Sequence, residues 1–575
     1  MRSPNLPPIE GFQANEDNPE PRRRTAEPEH ISDRITRVRW DLQNLQDFYN
    51  VRNSTGRCNR LMVFFTEELH SLEFVPFDMY NQDEKVDYLL LRNYLRYQIL
   101  QLRHDADQDQ RLISYLGIYF PMRLSGLIQA RQRVDEADGK QAATWCAQII
   151  DHIKLARDRI ANKDEVEETI IALRATKLVA ALKSDVQEWY DFYKDYDPEF
   201  TYWVAEPSIR LQDALEELND TIKRSTPGLS SADQDTIIGS PIGRAGILDA
   251  LQVEMIPYTP EELIAIGEKE YAWCETEMQK AASDLSFPTW RSALEYVKDQ
   301  YVAPGKQPHL VRDLIKEATE YVEKYDRVTV PSICKETLRM YMMSPEKQKM
   351  NPFFLGGESI IVSYPTSTMS HEQKLMAMRG NNIHFSRATA FHETIPGHHL
   401  QWYYLMRSRP YRQMFFTPFS TEGWAFYWEM LLWDADDWPK TPENRIGMLF
   451  WRMHRCARIV FSLKYHLGLM TADECVELLV NWVGFERANA EGEVRRSVMG
   501  DYGPLYQAGY MLGGLQLYAL RKEVVDQGQM DEKEFHDLFL RANQMPVELF
   551  AALIQNRKLS KDYESRWRFY NYSKD

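Results

Sequence analysis

Cysteine is scarce and scattered: six in 575 residues, at positions 58, 146, 274, 334, 456 and 475, with no CxxC pair. That spacing excludes a disulfide framework and a thiolate zinc knot, and it suits a reducing compartment. No stretch reaches the about 18 consecutive apolar residues that a membrane-crossing helix needs, so no membrane span is expected. The first 30 residues have no apolar core of the secretion-signal kind and are rich in Pro, Glu and Arg. They read as a flexible tail, and the expected location is cytoplasmic. Basic charge is in deficit, with 69 Lys and Arg against 85 Asp and Glu and a net charge of -16. Nucleic acid and anionic membrane are therefore excluded as general partners. There is no internal repeat and no low-complexity run, and no feature assigns an oligomeric state.

What is present is a helix former's pattern. Apolar residues recur at three- and four-residue spacing from about position 31 to 223, as in VDYLLLRNYLRYQILQLRH. This predicts a helical scaffold over 31–225. A segment dense in Gly, Pro, Ser and Asp follows, RSTPGLSSADQDTIIGSPIGRAGI, and marks the boundary with a catalytic region over 226–575. Thr259 before Pro260, with Glu262 three residues after the cap, predicts a well-defined helix start. The segment 356–367, GGESIIVSYPTS, is the strand candidate, either structural or an edge beside the active-site helix that pairs with an extended substrate.

The chemistry concentrates in FSRATAFHETIPGHHLQWYYLM, residues 385–406. A zinc hydrolase needs two imidazoles on one face, a carboxylate beside the first as general base, and a third ligand from another helix. His392 and Glu393 begin that pattern, but the position four residues on is Pro396, which cannot ligate. On an ideal helix His399 lies about 10 Å further along the axis than His392, too far to share an ion. His398 is off-face on an ideal helix, yet Pro396 and Gly397 can distort the turn enough to bring it back. His398 is thus the preferred second ligand, with His399 the alternative or a residue at the substrate. Glu422, in STEGWAFYWEMLLW, is the preferred third ligand, with Ser420 or Thr421 as helix cap; Glu429 is its competitor two turns later on the same face. The expected cofactor is one Zn2+.

HETIPGHHLQ followed by TEGWAFYWEMLL resembles the domain-of-unknown-function 885 family, whose pattern is HExxPGHHLQ and then EGWALY. YTPEELIAIGEKE, RCARIVFSLKYHLGLMTADECVELL, GEVRRS and GPLYQAGYMLGG resemble further segments of that family in the same order, over roughly residues 230–550. The resemblance implies a mostly α, zincin-like metallopeptidase fold of gluzincin type with a small β element, and a bound zinc. The chain departs from the pattern at Ser462, Ser497 and Tyr506, where Asp, Tyr and Gln are usual; His466, Tyr510 and Gly513 match. His466 and Tyr510 are candidate donors to an oxyanion, and Tyr506 a substrate-side residue. Arg496 either holds a substrate carboxylate or pairs with Glu493.

The leading expectation is hydrolysis of an amide in a small peptide or amino-acid conjugate, with Glu393 as base. The same site could instead serve a biosynthetic enzyme that cyclises, deprotonates or cleaves an ester in a specialised metabolite, which the three departures favour. A catalytically silent helical scaffold is the third reading, disfavoured by the intact His392, Glu393, His398 and Glu422.

Overall fold

A computed structural model describes residues 29–570 apart from 52–53, 163–167, 196, 230–235, 349–352 and 500–501. The expected tail lies outside the described residues except for its last two. The chain is mostly helical, 72% helix, with two strands of three residues each. The start read at Thr259 forms as a reciprocal pair: Glu262 N–H donates to the threonine hydroxyl, and Thr259 N–H to the Glu262 carboxylate.

Two large hydrophobic cores organise these helices. One gathers Leu112–Ile222 with Val51; the other joins residues 31–99 to residues 247–569. The helical region 31–225 is thus shared between the two cores. Its long helix Gln82–Leu116 runs from one to the other.

Within the larger core the site is built on four successive helices and one that closes over them. The motif helix, Ile383–Glu393, is followed by a return helix, His398–Leu405. Next come an acid helix, Pro418–Asp434, and an arginine helix, Pro442–His466. The closing helix, Tyr506–Val524, packs along the acid helix in the most extensive helix pairing of the molecule. The acid helix is buried nearly all round, with Trp424, Phe426, Tyr427 and Trp428 fully enclosed. It therefore lacks the apolar stripe of a surface helix. Its cap is Thr417, whose hydroxyl accepts the Phe419 N–H, three or four residues earlier than the expected Ser420 or Thr421. Pro418 in the first turn explains the difference, since proline there costs no hydrogen bond.

The contact between acid and closing helices is made by glycine. A Cβ added at Gly423 would lie 2.7 Å from the Gly513 Cα, and one at Gly513 would lie 2.3 Å from the Phe419 carbonyl oxygen. The two backbones touch directly.

The strand candidate forms as β2, Ile360–Val362, parallel to β1, Met340–Met342. On its other side Leu355 and Ile361 exchange two backbone hydrogen bonds of 2.8 and 2.9 Å. With both sides of Ile361 occupied, β2 offers no free edge for a substrate there. It anchors the loop that precedes it instead.

Candidate metal centre

The motif does not continue as one distorted helix. It ends at Glu393, turns through Thr394–Gly397 with a cis Ile395–Pro396 bond, and begins again at His398. Gly397 is required by space: a Cβ there would lie 1.9 Å from the His392 carbonyl oxygen. The Pro396 carbonyl, freed from any helix, accepts Trp424 Nε1–H of the acid helix at 2.9 Å. This break, rather than the expected bulge, brings His398 back to His392.

The two imidazole rings lie 4.8 Å apart and perpendicular. Glu422 Oε2 is 3.4 Å from His392 Nε2 and 3.1 Å from His398 Nε2. Ligand atoms each about 2.0–2.1 Å from a tetrahedral zinc are about 3.3 Å from one another, and the two spacings from Glu422 agree with that value. Glu393 also has an oxygen within 4.8 Å of both imidazoles. Its Oε1, however, is 4.0 Å from His392 Nε2, and its Oε2 accepts the Gly356 N–H at 2.5 Å. Glu422 therefore suits the ligand position, and Glu393 a position beside it.

Burial opposes charge here, and the partners overcome it. His392, 1% exposed, is disfavoured as a cation by burial, yet its hydrogen bonds to Glu422 and Glu429 raise its pKa to about 9. Burial would likewise neutralise Glu422, but His398 and His392 hold its carboxyl well below the usual carboxylate range. The cluster favours a bound cation, and a metal there would compete with the proton.

Glu429 is the residue that sequence reasoning misplaced. Two turns beyond Glu422 on the same helix, it accepts His392 Nδ1–H at 2.8 Å and so fixes which ring nitrogen faces Glu422. Such a carboxylate behind a ligand histidine raises its basicity. Glu429→Gln should weaken zinc binding by about 10- to 100-fold while leaving the three ligands in place. Competition against a chromophoric chelator reads this directly, and an unchanged affinity would remove Glu429 from the site.

The other expected residues divide. Tyr506 donates to Glu422 Oε1 at 2.6 Å, and Tyr510 stacks on the His392 ring with centroids 5.9 Å apart. Arg496 pairs with Glu493, as one of its two expected readings had it, and lines the cavity. His399 is not brought to the cavity. Its two ring nitrogens face the Gly357 and Cys334 carbonyls at 2.8 and 3.0 Å, tying the loop before β2 to the return helix. His466 is also not brought there: it is buried at the end of the arginine helix, about 12 Å along the axis from Arg458, and burial pulls its pKa down to about 4.

The cluster opens on a cavity of about 260 Å³, at or just below the size range of small-molecule sites. Its walls include Gly356, Trp451, Arg455, Arg458, Tyr502 and Tyr506. Arg455 and Arg458 open the family-like segment RCARIVF but were not singled out in the sequence, because nothing local shows that they line a cavity. Ser462 and Ser497, two of the departures, turn their hydroxyls onto carbonyls of their own helices, at Arg458 and Glu493.

The chain belongs to a family described as bacterial protein of unknown function (DUF885), whose family model matches residues 53–554. The match takes in most of the helical scaffold as well as His392, His398 and Glu422. No curated protein matches the chain. Among solved structures it is similar to a candidate lipoprotein of unknown function from Shewanella oneidensis, with a TM-score of 0.68 and 18% identity over 92% of this chain and 100% of that one. It is also similar to a candidate lipoprotein from Colwellia psychrerythraea, with a TM-score of 0.60 and 15% identity over 92% and 98% of the two chains. At these identities the likeness establishes a shared fold.

Proposed function

We propose that the protein is a zinc-dependent hydrolase that cleaves an amide bond in a small peptide or amino-acid conjugate. The observation that carries this reading is the placement of two imidazole nitrogens 3.1 and 3.4 Å from one carboxylate oxygen, with a second carboxylate alongside. His392, His398 and Glu422 would hold the ion, in a gluzincin-like order with the acid on a following helix. A zinc ion bound there supplies Lewis acidity towards the amide carbonyl and towards water.

The chain's own residues do the rest. Glu393 uses Oε1 to take the proton of the attacking water and pass it to the leaving amine nitrogen, while the Gly356 N–H holds Oε2 still. Burial keeps the Tyr510 hydroxyl protonated well above its ordinary pKa, so it remains a donor for the oxyanion. The cavity has an aromatic side, with Tyr502 stacked on Tyr506 at 4.0 Å. That same aromatic side favours, as the second reading, a biosynthetic role on an aromatic metabolite.

A cytoplasmic location stays part of the proposal. All six cysteines are unpaired and five are buried, as in a reducing compartment. The lipoprotein description of the two structural relatives weighs the other way.

The protein as purified should hold about one equivalent of zinc, matching one two-His, one-carboxylate ligand set. Chelation should abolish hydrolysis across a panel of dipeptides and N-acyl amino acids, and added zinc should restore it. An active preparation free of divalent metal would overturn the proposal. Stoichiometric zinc with no hydrolysis in the panel would favour the biosynthetic reading.

A further inference from the structure

The cavity has a cationic wall that cleaving an amide does not by itself require. Arg455 and Arg458 come from adjacent turns of the arginine helix, each 3% exposed, and Arg496 from the helix Arg487–Val498. Two acidic partners are seen among the described residues. Glu429 accepts Arg455 Nη2 at 3.3 Å, and Glu493 accepts Arg458 Nε at 2.6 Å as well as Arg496. Arg458 Nη1 and Arg455 Nε are buried with no hydrogen-bond partner among the described residues. Ser462, one turn further along the same helix, bonds the Arg458 carbonyl and offers no charge.

The Arg458 guanidinium also sits 4.2 Å from the Tyr510 ring centroid, and that ring in turn stacks on His392. An aromatic platform of this kind fixes the planar fork, which matches a carboxylate bidentately.

The geometry points to a carboxylate-bearing substrate, with Arg458 receiving the carboxylate while the scissile amide faces Glu393 and the His392–His398–Glu422 set. This deepens the zinc-hydrolase reading and rests on it. The carboxylate is either the free α-carboxylate next to the scissile amide or an acidic side chain. The cavity volume limits the occupant to a small conjugate such as an N-acyl amino acid.

The test is calorimetric binding of three probes to the full chain carrying Glu393→Gln, which leaves the probes intact. N-benzoylglycine offers an α-carboxylate, N-benzoylglycinamide none, and the α-amide of N-benzoylaspartate a side-chain carboxylate only. A carboxylate probe should bind at least about tenfold more tightly than the glycinamide, as expected for a charge-assisted bidentate contact. Whichever carboxylate binds tightly identifies its source. Adding Arg458→Gln should bring the ratio to about one, and Arg458→Lys, which keeps the charge and guards against misfolding, should leave a ratio between the two. Equal binding of all three probes, or a ratio unchanged in the arginine variants, overturns the inference. Running the series on zinc-loaded and chelated protein separates the two readings. A preference lost on chelation but kept in the Arg458 variants belongs to the metal and also overturns it. A protein that binds no zinc but keeps an Arg458-dependent preference overturns the zinc reading alone.

Discussion

Glu393→Gln should keep zinc and fold while turnover drops by about 10²- to 10⁴-fold, the usual worth of a general base. Its amide is nearly isosteric and can still accept the Gly356 N–H through its oxygen, so the loop before β2 should stay in place. What it cannot do is take a proton from water at the other position. Because Glu393 Oε1 stands 4.0 Å from His392 Nε2, while Glu422 Oε2 stands closer to both imidazoles, the substitution should leave the ligand set untouched. Zinc content and turnover measured on the same preparation give the answer. Near-normal turnover would sink the hydrolytic-water mechanism and leave the biosynthetic reading ahead.

Glu422→Gln should fail in the opposite order, with metal lost first and activity as a consequence. A neutral amide is a poorer zinc ligand than a carboxylate, and here the carboxylate also balances two imidazoles and accepts the Tyr506 hydroxyl. Zinc affinity should fall by at least about 10²-fold, more than for loss of a residue behind a ligand, which costs about 10- to 100-fold. Saturating zinc should restore part of the turnover in Glu422→Gln and none in Glu393→Gln. Rescue in Glu393→Gln but not in Glu422→Gln would mean that the roles of the two acids are exchanged.

The meeting of His392, His398 and Glu422 was legible in the sequence because it is local chemistry. His392 and Glu393 announce the motif, Pro396 removes the standard second ligand, and an acid about 24 residues on is where a following helix brings one. The helical class was legible for a similar reason, since apolar periodicity is a short-range signal. What was hidden depends on long-range packing. Whether Glu429 ligates or orients turns on which ring nitrogen of His392 it meets, 37 residues away in the chain. The Gly356 N–H reaches Glu393 across a similar separation through a loop anchored on β2, and no periodicity encodes that approach. Residues 31–99 look like part of one scaffold, yet they pack with residues 247–569, because amphipathic helices reveal that they bury a face but not against what. His399 misled for the converse reason: beside a motif histidine in sequence, it starts a new helix direction and spends both nitrogens on backbone carbonyls.

The direct backbone contact of Gly423 with Gly513 has a mechanical consequence. Helices held apart by side chains can slide as those side chains change rotamer, but two chains in contact at Cα have no such cushion. Tyr506 and Tyr510 ride on one of them and Glu422 on the other. The distance from the tyrosines to the carboxylate is therefore a fixed dimension of the scaffold, set before any substrate arrives. A rigid gauge of that kind allows little reorganisation when charge develops on the substrate. On the hydrolase reading it also leaves adjustment to differently shaped substrates to the rest of the wall, which includes the Gly356 loop.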